Sequence, residues 1–141
     1  MTAVAALRPV LLALGLGLAV SAPAAGAEPA PLREDAHIDG RLLAAAIGDE
    51  IRRNCPTISE RRWVVRAEAL KLYNRAIALG HTRRSIEAYL DDPEARAAME
   101  RRRDAWLAAN GVVAGDADSY CRAGLREIDQ GSYLGSLMRV D

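Results

Sequence analysis

From Ile38 onward the apolar residues return every three or four positions, the spacing of one helix after another. In IDGRLLAAAIGDEIRRN, the residues Ile38, Leu42, Leu43, Ala46, Ile47 and Ile51 share one face of a first helix. Cys55-Pro56 ends it, because the residue before a proline is pushed out of helical geometry. The spacing predicts a second helix from Ser59, as N-cap, to a stop at Gly80. That helix carries two apolar stripes, Trp63, Ala67, Leu70 and Ile77 on one and Val65, Leu72, Ala76 and Leu79 on the other. Two stripes imply burial on more than one side, which makes this segment the expected central helix.

Thr82 can cap a short third helix in which Ile86, Tyr89 and Leu90 share a face. Asp92 followed by Pro93 opens a fourth, since proline is suited to the first helical position. Ala95, Met99, Trp106 and Leu107 turn inward along it, and Gly111 stops it. GVVAGDAD is the one evident loop. Asp118 is then expected to cap SYCRAGLREIDQ, with Cys121, Leu125 and Ile128 inward, and SYLGSLM adds a turn or two. No strand pattern emerges. The expected fold is all-α, a small helical bundle of about four main helices with short helical segments.

The chain before this region reads differently. A single charge at Arg8 precedes the apolar run PVLLALGLGLAV and then SAPAAGA, whose Ala25-Gly26-Ala27 is a small-x-small cleavage site. Basic start, short apolar core and small-residue site together read as a secretory signal peptide over residues 1–27, cut before Glu28. The uncharged stretch of 19 residues, Pro9 to Ala27, could span a bilayer, but its second half is Ser, Ala, Pro and Gly, which favours cleavage. A polar, proline-bearing lead-in is expected over 28–36, and a single helical domain over 37–141. No later apolar run is long enough for a membrane span, so the expected location is the periplasm.

Charge narrows the partners. Without Arg8 the mature chain has 18 basic and 19 acidic residues, which gives no reason to expect nucleic acid or an anionic membrane as partner. Every basic residue but Lys71 is arginine. Two arginine clusters, Arg61, Arg62 and Arg66, and Arg101, Arg102 and Arg103, are candidate contacts for an anion or an acidic partner. The plainer reading is a solvated helix face, with the second cluster neutralised by its neighbours Glu100 and Asp104.

Candidate chemistry is sparse. Cys55 and Cys121 are the only cysteines, and exported chains with an even count usually pair them. A redox-active thiol ahead of a helix is the sharper alternative, but the two are far apart, without the C-x-x-C spacing such catalysts use. A structural Cys55–Cys121 disulfide is therefore expected. His37 and His81 have no partner ligands at helical spacing, so no metal site and no cofactor are expected. The sequence holds neither a G-x-S-x-G elbow nor a glycine-rich phosphate loop, and Asp91-Asp92 is read as a helix cap. No enzyme activity is expected.

The order of PLRE at Pro31–Glu34, IRRNCP at Ile51–Pro56, ALGH at Ala78–His81 and AANGV at Ala108–Val112, followed by Ser119 to Arg139, resembles a known family. It is a family of small exported alphaproteobacterial proteins, catalogued as a domain of unknown function. The resemblance implies no catalytic residues, and, with members encoded near genes for respiratory NADH dehydrogenase, it hints at an accessory role. The expected function is a non-catalytic periplasmic protein that contacts another envelope protein or complex through a helical face. The alternative is a small-molecule binder with a pocket between helices. Trp63, Tyr89 and Trp106 are assigned to core packing, and become interface candidates where they prove exposed.

Overall fold

The computed structural model describes residues 26–141. The signal peptide and its cleavage therefore lie outside the described residues, apart from the exposed Gly26, Ala27 and Glu28. The lead-in is more ordered than its composition suggested. Leu32–Glu34 form a 3-10 turn that buries Leu32, and Asp35 caps helix α1, Ala36–Asn54, by accepting from the Ile38 N–H at 2.8 Å.

Helix α1 is the centre of the molecule. It ends at Cys55, which takes the extended geometry that Pro56 demands. Ile47, Gly48 and Ile51 are buried, and α1 packs on every other helix except α3 to a substantial extent. The chain then makes strand β1, Ile58–Glu60, helix α2, Arg62–Ala78, and helix α3, Arg83–Asp91. Helix α4, Pro93–Ala109, helix α5, Ala117–Asp129, the single turn α6, Tyr133–Ser136, and strand β2, Met138–Val140, complete it.

Most of the fold is helical, as the pattern predicted, with one addition. Strands β1 and β2 pair antiparallel in the register Ile58–Val140, Ser59–Arg139 and Glu60–Met138. Three residues per strand are too few to show alternation in the sequence. The pairing claims Ser59 for the ladder, so the expected N-cap is displaced. α2 starts at Arg62 behind Arg61, with no side-chain cap. Further on, Asp116 rather than Asp118 caps α5, and Asp118 sits in its first turn. Thr82 and Asp92 cap α3 and α4 as expected, Thr82 within a reciprocal pair with Ser85.

The main core joins Ile47 and Ile51 of α1, Ile58, Leu107, Tyr120, Ala123, Leu134 and Met138 around Cys55. Two glycines make it possible. A Cβ on Gly135 would lie 2.0 Å from the Glu127 backbone oxygen, and one on Gly124 would lie 2.5 Å from Ile58 Cδ1. Their bare backbones let α6 fold onto α5 and α5 settle on β1. A smaller apolar cluster, Leu32, Ile38, Ala76 and Ile86, supports α2 and α3.

The predicted sulfur pair is present. Cys55 and Cys121 stand at disulfide-bonding distance with Cα atoms 5.1 Å apart, fastening the end of α1 to α5. Cys55 is buried in the main core, and Thr57 Oγ1 lies 3.4 Å from its sulfur.

Candidate functional site: the outer face of helix α2

Helix α2 is not central. Of its 17 residues only Ala76 is buried. Of the inward stripe, Ala76 and Leu72 join the smaller cluster and Val65 is half-buried, while Leu79, just past the helix end, is exposed. The other stripe, Trp63, Ala67, Leu70 and Ile77, faces solvent, with Trp63 78%, Leu70 60% and Ile77 42% exposed. The two stripes predicted burial on two sides; the fold supplies one. Tyr73, also exposed, borders the stripe.

Basic residues frame this face. By helical spacing Arg62 and Arg66 lie along one margin and Lys71 and Arg75 along the other. The Arg66 guanidinium sits 5.7 Å from the Trp63 ring centroid, a cation–π distance. Lys71 pairs with Glu68 at 2.6 Å, and Arg62 reaches Glu60 only at 3.7 Å. Arg61 donates to the Ser136 carbonyl at 3.3 Å. Together Arg52, Arg61, Arg62 and Arg139 line an open groove of about 730 Å³ that runs up to Trp63. The first arginine cluster and one of the three singled-out aromatics thus meet at one place.

The second cluster does different work. Arg102 makes a two-pronged pair with Asp39 of α1, both contacts at 2.7 Å, and Arg103 pairs with Asp104 at 2.8 Å and reaches Glu50 at 3.5 Å. These side chains clamp α4 to α1, using carboxylates far away in sequence as well as the neighbour Asp104. Arg101 remains exposed. Tyr89 and Trp106 are half-buried, Tyr89 against the smaller cluster and Trp106 against the main core, as core packing required. Trp63 departs from that expectation, and Leu125 of α5 is likewise exposed rather than inward.

His81 is half-buried, its Nε2 lying 3.1 Å from the Ala30 carbonyl, whereas His37 is exposed. Among the described residues, no group of three His, Cys, Asp or Glu side chains converges on a point that could hold a metal ion. No described helix is long and apolar enough to cross a membrane.

One ion pair holds α2 in place. Asp35, already the cap of α1, accepts from Arg75 Nε at 3.0 Å and from its terminal nitrogen at 2.7 Å. The Arg75 guanidinium foremost, then the Ile38 N–H, lowers the Asp35 carboxyl from 3.8 to about 2. The residues missed in the sequence were Leu70 and Ile77 as surface anchors, and Arg139 in the groove. The doubled stripe was the signal for the first two; Arg139 arrives only through the β1–β2 pairing.

The profile of the family described as "Family of unknown function (DUF5333)" matches residues 30–139. The chain belongs to that family. No curated protein and no solved structure gives a significant match to it.

Proposed function

We propose that the protein is a non-catalytic accessory protein that docks on a partner protein through the outer face of α2. One observation carries this reading: α2 has apolar residues on two opposite faces, and the described residues cover only one. Trp63, Leu70 and Ile77, spaced seven residues apart on one line of the helix, are anchors of the kind that fill a groove on a partner. Large apolar side chains exposed in a row, rimmed by charge, are the mark of an interaction site.

The rim sets the partner's chemistry. Arg62, Arg66 and Lys71 favour an acidic surface, and they disfavour a second copy of this chain laid against the same face, where like charges would meet. The sulfur pair suits an oxidising compartment, which supports export to the periplasm. There the partner is an envelope protein or complex, and a respiratory complex is the candidate that the family resemblance implies.

The test is co-purification with the tagged protein from envelope fractions, comparing Leu70→Glu and Ile77→Glu with Val113→Glu, which alters an exposed loop elsewhere. One discrete partner should be lost with both α2 variants and kept with Val113→Glu, at unchanged melting temperature. A partner retained by the α2 variants, or no discrete partner at all, overturns the proposal.

A further inference from the structure

Beneath α2, on the side opposite the docking face, lies a pocket of about 290 Å³ between α1, α2, α3 and α6. Its walls are almost entirely apolar, with Leu42, Leu72, Ala76 and Ile86 among them. Its polar members include Arg41, Glu68 and Tyr133. The Arg41 guanidinium lies over the Tyr133 ring, 3.5 Å from its centroid.

Two charged side chains, Arg41 and Glu68, line the pocket. Glu68 is matched by Lys71 at 2.6 Å, and that hydrogen bond is the main reason its carboxyl is lowered. Arg41, half-buried at the same pocket, forms no ion pair and no hydrogen bond with any described side chain. Lys71 stands on the outer margin of α2, so among the described residues Arg41 is the one charged side chain of the lining without a bonded partner, acting on Glu68 through charge alone. Burial foremost, then the Glu68 charge, keeps Tyr133 protonated and able to donate.

We infer that this pocket binds a small amphiphilic monocarboxylate, with its apolar tail among the α1, α2 and α3 side chains and its carboxylate on Arg41. The tail follows from the walls, since an apolar chain loses its water contact there without leaving a polar group unpaired. The head follows from charge complementarity, because a guanidinium takes a carboxylate with two parallel hydrogen bonds. The length follows from the volume. At about 30 Å³ for each water-sized group, the space suits roughly ten non-hydrogen atoms, the size of octanoate. An uncharged alcohol of that length would leave Arg41 as it is, and an amine would be repelled by it.

The experiment is calorimetric titration of the purified protein with octanoate, octanol and octylamine, located by amide NMR shifts. Octanoate should bind saturably at one site, at least about tenfold tighter than octanol, with octylamine weakest. Shifts should centre on Leu42, Leu72 and Tyr133. Arg41→Gln should remove the preference for octanoate over octanol. Ala69→Phe, at an exposed position on the pocket rim, should weaken both. Equal affinity for octanoate and octanol in the unaltered protein, absence of saturable binding, or shifts centred on α4 and α5 would each overturn the assignment. This outcome is independent of the docking face, which Leu70→Glu tests on the opposite side of α2.

Discussion

Replacing Cys55 and Cys121 together by alanine opens a loop of 66 residues that contains β1, α2, α3 and α4. In the chain-entropy picture, freeing a loop of that length returns ~15 cal/mol/K to the unfolded chain, about 4 kcal/mol at 25 °C. Cys55 is also 1% exposed within the main core, so losing its sulfur removes packing worth about 1 kcal/mol more. Set against a typical domain stability of about 5–15 kcal/mol, that is a large share. Urea unfolding followed by circular dichroism should show the midpoint falling by about 2 M. The slope should steepen as well, because the unlinked unfolded chain exposes more surface. A loss below about 1 kcal/mol, or two free thiols titrating in the native protein, would refute the reasoning.

The other expectations separate packing from surface. Gly135→Ala should destabilise by about 3 kcal/mol or more, since its Cβ meets Glu127 backbone that cannot yield; thermal melting within 1 kcal/mol of the parent contradicts the close approach. Leu107→Ala, 5% exposed, should cost about 2–5 kcal/mol, whereas Leu70→Ala should stay within about 0.5 kcal/mol; comparable losses in the two would place Leu70 in the core. The Asp35–Arg75 tie has a folded pKa below the unfolded one, so it stabilises the fold above pH 4 or so. That contribution fades as pH falls towards about 2. Acid unfolding of Arg75→Gln should therefore differ from the parent at neutral pH and converge on it as pH falls from about 4 towards 2, and a difference constant across the range contradicts the pair.

Which parts of this were legible follows from how far apart the interacting groups lie. Thr82, Asp92 and Pro93 announce α3 and α4 because capping is decided within three or four residues. The Cys55–Cys121 pairing was legible despite its span, there being no other cysteine to choose. Strand β1 was not, since Ile58–Glu60 becomes a strand only through Met138–Val140, nearly the whole domain later. The same distance hid the roles of Arg102 and Arg103, whose partners Asp39 and Glu50 lie on α1. Helix α2 is the instructive error. Periodicity registered both apolar stripes faithfully, but it cannot say whether the same chain covers each of them. Reading both as internal placed α2 at the centre, a position that α1 occupies.

The most direct measurement is a site-specific photo-crosslinking scan along α2 in intact cells, one position at a time from Arg62 to Ala78. The account predicts adducts to a single partner that rise and fall with the helical period of about 3.6 residues, peaking at Trp63, Ala67, Leu70 and Ile77 and absent at Leu72 and Ala76. Adducts spread evenly around the helix, or appearing instead from the exposed positions of α4 and α5, would contradict it.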